Sequence, residues 1–451
     1  MPLDLFPYQD TGANWIATRR RSGLLDVPGL GKSAQVIRAL DLRRVKRGII
    51  VCPAHLTSNW IREHGLFAVM PRRLVKIRNI HDLIAWMRGV FDVAVMSYEM
   101  ATRLAPHIHD EGETFDFMAM DEAHYLSKLD TKRASALLGV NGTGHGGLVQ
   151  WAEQAFWVTG TLMSNDPIQC WTFLKFAGAV QLSHAAFQRR YFTTRTTTWG
   201  DRNKPRTETL PELQMLIANN SIRRTFEQVG IELPPIHLTT TLVDGDTDEI
   251  KRLLAQHPGL DSSILHAIEQ GGLSFLDSQH VASMRRLIAE AKAVPYAEML
   301  LDELRADPDR KVVVMGIHRL PLQMIRDYLA KHKVWAVLVQ GGMAEHAKQQ
   351  AVDSFQSNPL CRVFLGNIES AGTGYTLTAA AWIDMFESDW RPAGNDQAIR
   401  RIRRIGQQRT QHARFIALAR SLDEAVNRVV AEKTKAIAMV EGSAMIAAPE
   451  A

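Results

Sequence analysis

No CxxC pair occurs in the chain, and its three cysteines, Cys52, Cys170 and Cys361, lie far apart. That spacing supports neither a disulfide framework nor a zinc knuckle, and it fits a reducing compartment. No cationic segment followed by an apolar core opens the sequence, which begins "MPLDLFPYQD", so a signal peptide is not expected. No apolar run is long enough to span a bilayer, and a membrane partner is not expected. A large charge of one sign is missing as well: 53 Lys and Arg face 48 Asp and Glu, a formal net charge of +5. No internal repeat of solenoid period is present. The chain reads as intracellular, of cytoplasm or nucleoid, or of the host-cell cytoplasm if viral.

What is present suits a globular chain. Apolar residues make up 46% and charged residues 22% of 451 positions, enough for two or three domains with cores of their own. Basic residues gather locally, as "RRR" at 19–21, "RRVKR" at 43–47 and five arginines between Arg400 and Arg409. Such clusters fit a phosphate-bearing partner, the alternative being solvated faces.

Short apolar runs recur, each closed by polar or glycine-rich punctuation. "GLL" (23–25), "GIIVCP" (48–53), "FDVAVMSY" (91–98), "FDFMAMDEAH" (115–124) and "AFWVTGT" (155–161) form a first series. Alternation stops near residue 162. It resumes with "KVVVMGI" (311–317), "VWAVLVQ" (334–340), "CRVFLGN" (361–367), "AAWIDMF" (380–386) and "ARFIALA" (413–419). Buried strands alternating with helical spacing predict doubly wound parallel sheets. The expectation is a first α/β lobe over 1–165, a mainly helical insert over 166–295, a second α/β lobe over 296–440 and a frayed tail over 441–451. In the insert, Arg189, Arg190 and Arg195 of a Thr-rich stretch would meet phosphate or solvent. "HIHDEGE" (107–113) reads as a solvated loop ahead of a strand.

Three segments carry chemistry. In "DVPGLGKS" (26–33), Gly29 and Gly31 free the backbone, Lys32 supplies a cation for the β- and γ-phosphates, and Ser33 supplies a hydroxyl for Mg²⁺. Asp26 breaks the strict phosphate-loop pattern, and a structural turn is the alternative. "FDFMAMDEAH" ends a buried strand on acids: Asp121 to hold the metal through water, Glu122 to orient or deprotonate the attacking water. The alternative there is an N-cap followed by a first-turn acid. "QAIRRIRRIGQ" (397–407) places Arg401 and Arg404 three apart, expected on one helix face as arginine fingers toward the γ-phosphate.

Taken in order, these segments resemble a superfamily-2 helicase motor of the SNF2 type, over nearly the whole chain. "FPYQ" (6–9) resembles the adenine-reading Q-motif, with Gln9 as reader. "DVPGLGKS" is similar to the family's "DEMGLGKT", in which aspartate is normal at the first position. "IIVCPAHLTSNW" (49–60), "MSYE" (96–99), "DEAH" (121–124), "TGTLMSN" (159–165), "SIRRTFEQVGIELPP" (221–235), "VVVMGIH" (312–318) and "VQGGM" (339–343) resemble successive motifs. The block "SAGTGYTLTAAAWIDMFESDWRPAGNDQAIRRIRRIGQ" (370–407) is similar to the annealing-helicase branch.

The resemblance implies two RecA-like lobes, with ATP and Mg²⁺ as cofactors held in the cleft between them. It implies catalysis by Lys32, Asp121, Glu122, Arg401 and Arg404, and a metal held by Ser33 and Asp121. Cofactor contacts are expected from Gln9, Asp26, Gly29, Gly31, Lys32 and Ser33, joined by Gly372, Gly374 and Gln397. Pro53, Ser97, Thr159, Thr161 and Trp390 are expected to touch duplex or branched DNA through sequence-independent contacts, RNA being a second candidate; the Trp390 indole has core packing as its alternative. Departures are Ser33 for threonine, which keeps the hydroxyl, Leu162-Met163 where the family has proline, and Arg403 where it has histidine. The implied activity is an ATP-driven motor that moves on or remodels duplex or branched DNA. A strand-separating helicase and a non-catalytic nucleic-acid-binding scaffold stay open beside it.

Overall fold

The computed structural model describes residues 2–112, 114–139, 146–197, 200–256, 279–368 and 375–441. Continuous Val, Ile, Met and Phe runs leave no polar face for water, so they persist as strands only where both faces of a sheet are covered. The first sheet contains β1 (Arg21–Leu24), β2 (Gly48–Cys52), β3 (Leu74–Lys76), β4 (Val93–Ser97), β5 (Phe115–Asp121) and β6 (Ala152–Val158). A separate two-stranded sheet follows, β7 (Phe192–Thr197) with β8 (Gly200–Pro205), and then β9 (Ser221–Ile222) returns to the first sheet. Its order is β3-β4-β2-β5-β6-β1-β9, and the pairs are parallel.

The second sheet contains β10 (Ile236–Val243), β11 (Val312–Gly316), β12 (Trp335–Val339), β13 (Cys361–Asn367), β14 (Trp382–Met385) and β15 (Gln411–Leu418). Its order is β10-β15-β14-β11-β13-β12, again parallel. Successive residues of β11 enter different cores: Val313 and Met315 join one cluster, Val312 and Val314 the other. Both faces are therefore buried, as the unbroken apolar runs require. The doubly wound α/β expectation is met in both halves.

Two compact units divide the chain: Met1–Phe192 with Pro205–Ile231, and Thr193–Lys204 with Glu232–Ala451. The stretch read as an insert over 166–295 is thus shared between them. Parallel pairing of β9 with β1 holds 221–222 in the first unit, where Trp157 also packs on Phe173 and Phe176. Parallel pairing of β10 with β15 along eight residues ties 236–243 into the second. Strand β10 escaped the sequence reading because its Thr-rich run is half exposed, with no continuous apolar stretch. The segment "HIHDEGE" also differs from expectation. Its residues 107–111 form the last turns of the helix Tyr98–Glu111, which Gly112 ends at φ 64°, and His109 Nδ1 accepts from Trp151 Nε1 at 2.7 Å. Among the described residues, no helix is long and apolar enough to cross a membrane. The expected frayed tail lies, apart from Glu441, outside the described residues.

Candidate nucleotide site

Strand register builds this site in the first unit. Leu24 of β1 pairs with Val158 of β6, and Val158 pairs with Asp121 of β5. The phosphate loop, Thr159 and Glu122 therefore leave the same edge of the sheet side by side. In open parallel sheets that carboxyl edge is where ligands bind.

The loop needs left-handed backbone, which Gly29 (φ 102°) and Gly31 (φ 69°) supply. Gly31 is the N-cap of the helix Lys32–Leu42, and a Cβ there would lie 2.3 Å from Gln9 Nε2. Gln9 is buried against the loop: its Oε1 accepts from the Phe6 N–H at 3.0 Å, and its Nε2 donates to the Leu30 carbonyl at 3.2 Å. The Lys32 ammonium donates to the Asp26 carbonyl at 2.9 Å. Burial lowers the Lys32 pKa, against the pull of Glu122, Asp121 and Asp26.

Asp26, expected among the cofactor contacts, faces away from such a role. Its side chain is fully buried and takes Gln35 Nε2 at 2.9 Å, Arg224 Nε at 3.0 Å and an Arg224 terminal nitrogen at 2.5 Å. It organises the loop from behind.

Asp121 and Glu122 differ sharply in setting. Asp121 is buried; its Oδ2 accepts from Trp60 Nε1 at 2.8 Å, its Oδ1 from the Glu122 N–H at 2.9 Å, and its carbonyl from the Tyr98 hydroxyl at 2.8 Å. Burial, and then the Glu122 charge, raise its pKa to about 7, with Trp60 and Lys32 pulling the other way. Glu122 adopts φ 51° and ψ 45°, a left-handed conformation that costs a residue with a Cβ about 1 kcal/mol. Its Oε2 lies 3.2 Å from His124 Nδ1 and accepts from the Thr159 hydroxyl at 3.3 Å. His124 Nδ1 is also 3.1 Å from the Thr159 oxygen. Two side chains, His124 beside it in sequence and Thr159 37 residues on, thus fix one carboxylate.

The donor set suits a magnesium nucleotide. A helix N-terminus with a lysine and the Ser33 hydroxyl in its first turn can hold phosphate and a hard cation. Asp121 is a carboxylate that burial leaves short of positive charge, and a divalent ion would supply it.

In the second unit the arginines are not on one helix face. The helix Pro392–Ile399 stops before them: the Arg401 and Ile402 N–H groups turn to the Ala398 and Ile399 carbonyls, three residues back, and the Arg401 carbonyl accepts from the Leu377 N–H at 2.9 Å. Gln407 Nε2 holds the following turn through the carbonyls of Thr378, Ala380 and Ile402. Both guanidinium groups nevertheless reach one stretch: Arg401 meets the Tyr375 carbonyl at 3.4 Å, and Arg404 the Thr376 hydroxyl at 2.7 Å. Arg403, in the family's histidine position, donates to the Pro234 carbonyl at 2.8 Å and Gln411 Oε1 at 3.1 Å. Gln397 is buried in the helix, while Gly372 and Gly374 lie outside the described residues.

The positions expected to touch nucleic acid mostly turn inward. Pro53 is buried, Ser97 caps a helix by accepting from the Met100 N–H at 3.2 Å, and Thr159 and Thr161 are buried. Trp390 is half-buried against the cluster containing Met284 and Val426, with the Arg285 guanidinium 4.7 Å above its ring. Thr159 and Thr161 expose almost no side-chain surface and Ser97 little, and in this structure those side chains serve the fold. Arg190 is paired with Glu212 at 2.9 Å in the open, and the Arg195 side chain lies outside what is described.

Trp60, Tyr98, His124 and Arg224 were not singled out by sequence reasoning. The signal was available for Trp60, since the "NW" ending of its motif lacked any assigned task. For Arg224, 198 residues from Asp26, only pairing across the sheet reveals the partner.

Comparison with known proteins follows the same lines. The model of the SNF2-related domain matches residues 8–252, and that of the helicase conserved C-terminal domain matches residues 296–406. The chain is 25% identical over 446 residues to the SWI/SNF-related matrix-associated actin-dependent regulator of chromatin subfamily A-like protein 1 of Drosophila melanogaster, covering 97% of this chain and 56% of that protein. It is 27% identical over 443 residues to the DNA annealing helicase and endonuclease ZRANB3 of Mus musculus, covering 93% and 39%. To the ISWI chromatin-remodeling complex ATPase ISW1 of Saccharomyces cerevisiae it is 22% identical over 470 residues, covering 96% and 40%. The chain thus spans about half the length, or less, of these relatives.

Proposed function

Because the chain belongs to the SNF2-related family, we propose that it is an ATP-dependent motor that moves on or remodels duplex or branched DNA. One observation carries the reading: register brings the phosphate loop, the Asp121-Glu122 pair and Thr159 to one sheet edge. Bound ATP with Mg²⁺ would supply the phosphoryl group whose transfer to water drives the cycle.

Each residue then has a task. Lys32 leaves the Asp26 carbonyl for the β- and γ-phosphates. Ser33 and Asp121 hold the metal, and Gln9 meets the adenine. Glu122, its carboxylate aligned by Thr159 and His124, orients the attacking water and accepts its proton. Arg401 and Arg404 meet the charge that develops on the γ-phosphate; their convergence on Tyr375 and Thr376 supports a joint role. DNA contact falls to backbone groups and neighbours of Pro53, Ser97 and Thr159 at the strand ends, with Trp390 alongside. Such contact is independent of sequence and strongly salt-dependent. The working place is the cytoplasm or nucleoid.

The test is phosphate release measured with duplex DNA, forks, single strands and RNA, beside a strand-displacement assay. Stimulation by duplex or forked DNA without strand displacement is expected. Displacement would favour a strand-separating helicase. No phosphate release with any nucleic acid would leave the scaffold reading.

A further inference from the structure

We propose that Arg224 is a positioning residue for nucleotide: through Asp26 it locks the phosphate loop to the chain segment that leaves the first unit. The inference rests on the nucleotide reading above and adds a coupling to it. Beyond β9 the backbone keeps running beside the loop's entrance. The Leu25 N–H donates to the Ile222 carbonyl at 2.8 Å, and the Val27 N–H to the Arg224 carbonyl at 3.1 Å. On this track Arg224 turns its side chain into the loop. Its Nε and a terminal nitrogen grip both carboxylate oxygens of Asp26, and that nitrogen also donates to Gln35 Oε1 at 2.7 Å. The other terminal nitrogen donates to the Tyr8 carbonyl, next to Gln9.

One guanidinium therefore joins the segment that includes Gln9, the start of the loop and the helix behind it. Planar two-pronged pairing of this kind fixes orientation as well as distance, which a lysine cannot reproduce. The chain makes room for it. A Cβ at Gly12 would lie 2.0 Å from Gln35 Oε1 and 2.5 Å from an Arg224 nitrogen.

Two features make this a coupling device rather than a brace alone. The residue Arg224 grips is the one whose carbonyl holds the Lys32 ammonium. A phosphate that draws Lys32 away acts directly on Asp26. The other end of the lock lies close to the junction, since the first unit ends at Ile231 and the second resumes at Glu232. A shift of the loop is handed to a segment seven residues from the second unit.

Hydrogen exchange by mass spectrometry on the full chain, with and without a non-hydrolysable Mg·ATP analogue, tests it against Arg224→Gln, Arg224→Lys and Asp26→Asn. In the wild type the analogue is expected to slow exchange in both 26–36 and 221–231. In Arg224→Lys, which keeps the positive charge beside the buried Asp26 carboxylate, the analogue's dissociation constant is expected to rise about tenfold. Protection then persists over 26–36 and disappears from 221–231. Arg224→Gln and Asp26→Asn are expected to behave alike, and unchanged exchange of the analogue-free core peptides establishes that they fold. Retained protection of 221–231 in the lysine variant would overturn the lock, as would wild-type protection confined to 26–36. Absence of any protection over 26–36 in the wild type would remove the nucleotide reading itself, and the lock with it.

Discussion

Asp121 ends β5 of the first sheet, and Glu387 stands two residues beyond β14 of the second. Both carboxyl groups are buried, with 8% and 4% exposure, and burial alone would raise both pKa values. The outcomes are opposite. Glu387 takes His318 Nδ1 at 2.6 Å and the N–H groups of Ile317 and His318 at 2.8 and 2.9 Å. Burial pushes its pKa up, but the His318 hydrogen bond and charge, with those N–H groups, carry it below the ordinary value. Asp121 takes an indole N–H and its neighbour's N–H and rises to about 7, through burial and then the Glu122 charge. A carboxylate that serves the fold is supplied with partners by the fold. One left short of charge at a strand end marks the place for a ligand.

Removing the chemistry of the first edge should cost activity and spare the fold. Lys32→Ala and Glu122→Gln are each expected to lower DNA-stimulated ATP hydrolysis by about 10³-fold or more, with no drop in melting temperature. Glu122→Gln keeps nucleotide binding, because the groups that hold phosphate are untouched. Wild-type-like turnover in either variant would refute the assigned roles.

The carboxyl pair itself gives the next largest effect. Glu387→Gln removes a charge that His318 and two N–H groups satisfy, and is expected to cost about 2–3 kcal/mol of stability. Asp121→Asn should do the reverse and stabilise the nucleotide-free protein by about 1 kcal/mol. The sign follows from linkage. A folded-state pKa near 7, above the ordinary carboxyl value of 3.8, means the native state binds the extra proton. Wild-type stability then falls as pH rises from about 4 to 7, so the gain from Asp121→Asn is full above pH 7 and absent below about pH 4. Denaturation at pH 5 and pH 8 reads both variants, and equal signs would dissolve the contrast.

How far the sequence revealed these places depends on the range of the interaction. The phosphate loop, Asp121 and Glu122 were legible because each is a run of neighbours whose spacing sets its geometry, and the apolar runs announced nearly all the buried strands. The register that gathers them was not, since pairing joins β1 to β6 across more than a hundred positions. Asp26 was placed among ligand contacts because its partner Arg224 is remote in the chain. The helix carrying Gln397 was expected to continue to Arg404. It ends at Ile399, and the chain beyond is tied to Leu377 by a hydrogen bond from a remote segment, invisible to local propensity. The Pro53, Ser97, Thr159 and Thr161 assignments followed motif position, which says where a residue lies and not which way it points.

Trp60 offers a finer test of what Asp121 lacks. Trp60→Phe removes the N–H that meets Oδ2 and leaves most of the buried ring. The expectation is that the Mg²⁺ concentration needed for half-maximal nucleotide binding rises about tenfold, the worth of one charge-assisted hydrogen bond. Affinity measured in EDTA should not change. A general loosening of the core would weaken binding under both conditions, and that result would show Trp60 to be packing alone.

A paired charge in the same unit as Asp121 extends the contrast. Asp41 and Arg72 meet at 2.7 Å in a buried setting, and the Asp41 carboxylate also takes the N–H groups of Val69 and Met70. His64 lies against this pair, its Nε2 3.5 Å from an Arg72 nitrogen. Burial, and then Arg72, lower its pKa to about 4, with Asp41 opposing. Burial, helped by Arg72, thus denies His64 a proton, where the buried Asp121 retains one. Because the folded-state pKa is depressed, the stabilisation is complete above the ordinary imidazole value of 6.5 and is lost as pH falls toward 4. Between those limits the unfolded chain binds a proton that the folded chain refuses, at a cost on the order of 2 kcal/mol. Chemical denaturation of wild type and His64→Gln at pH 7, 6 and 5 should show the variant losing less stability per pH unit. Parallel slopes would mean that His64 titrates alike in both states and that its burial beside Arg72 exerts no such control.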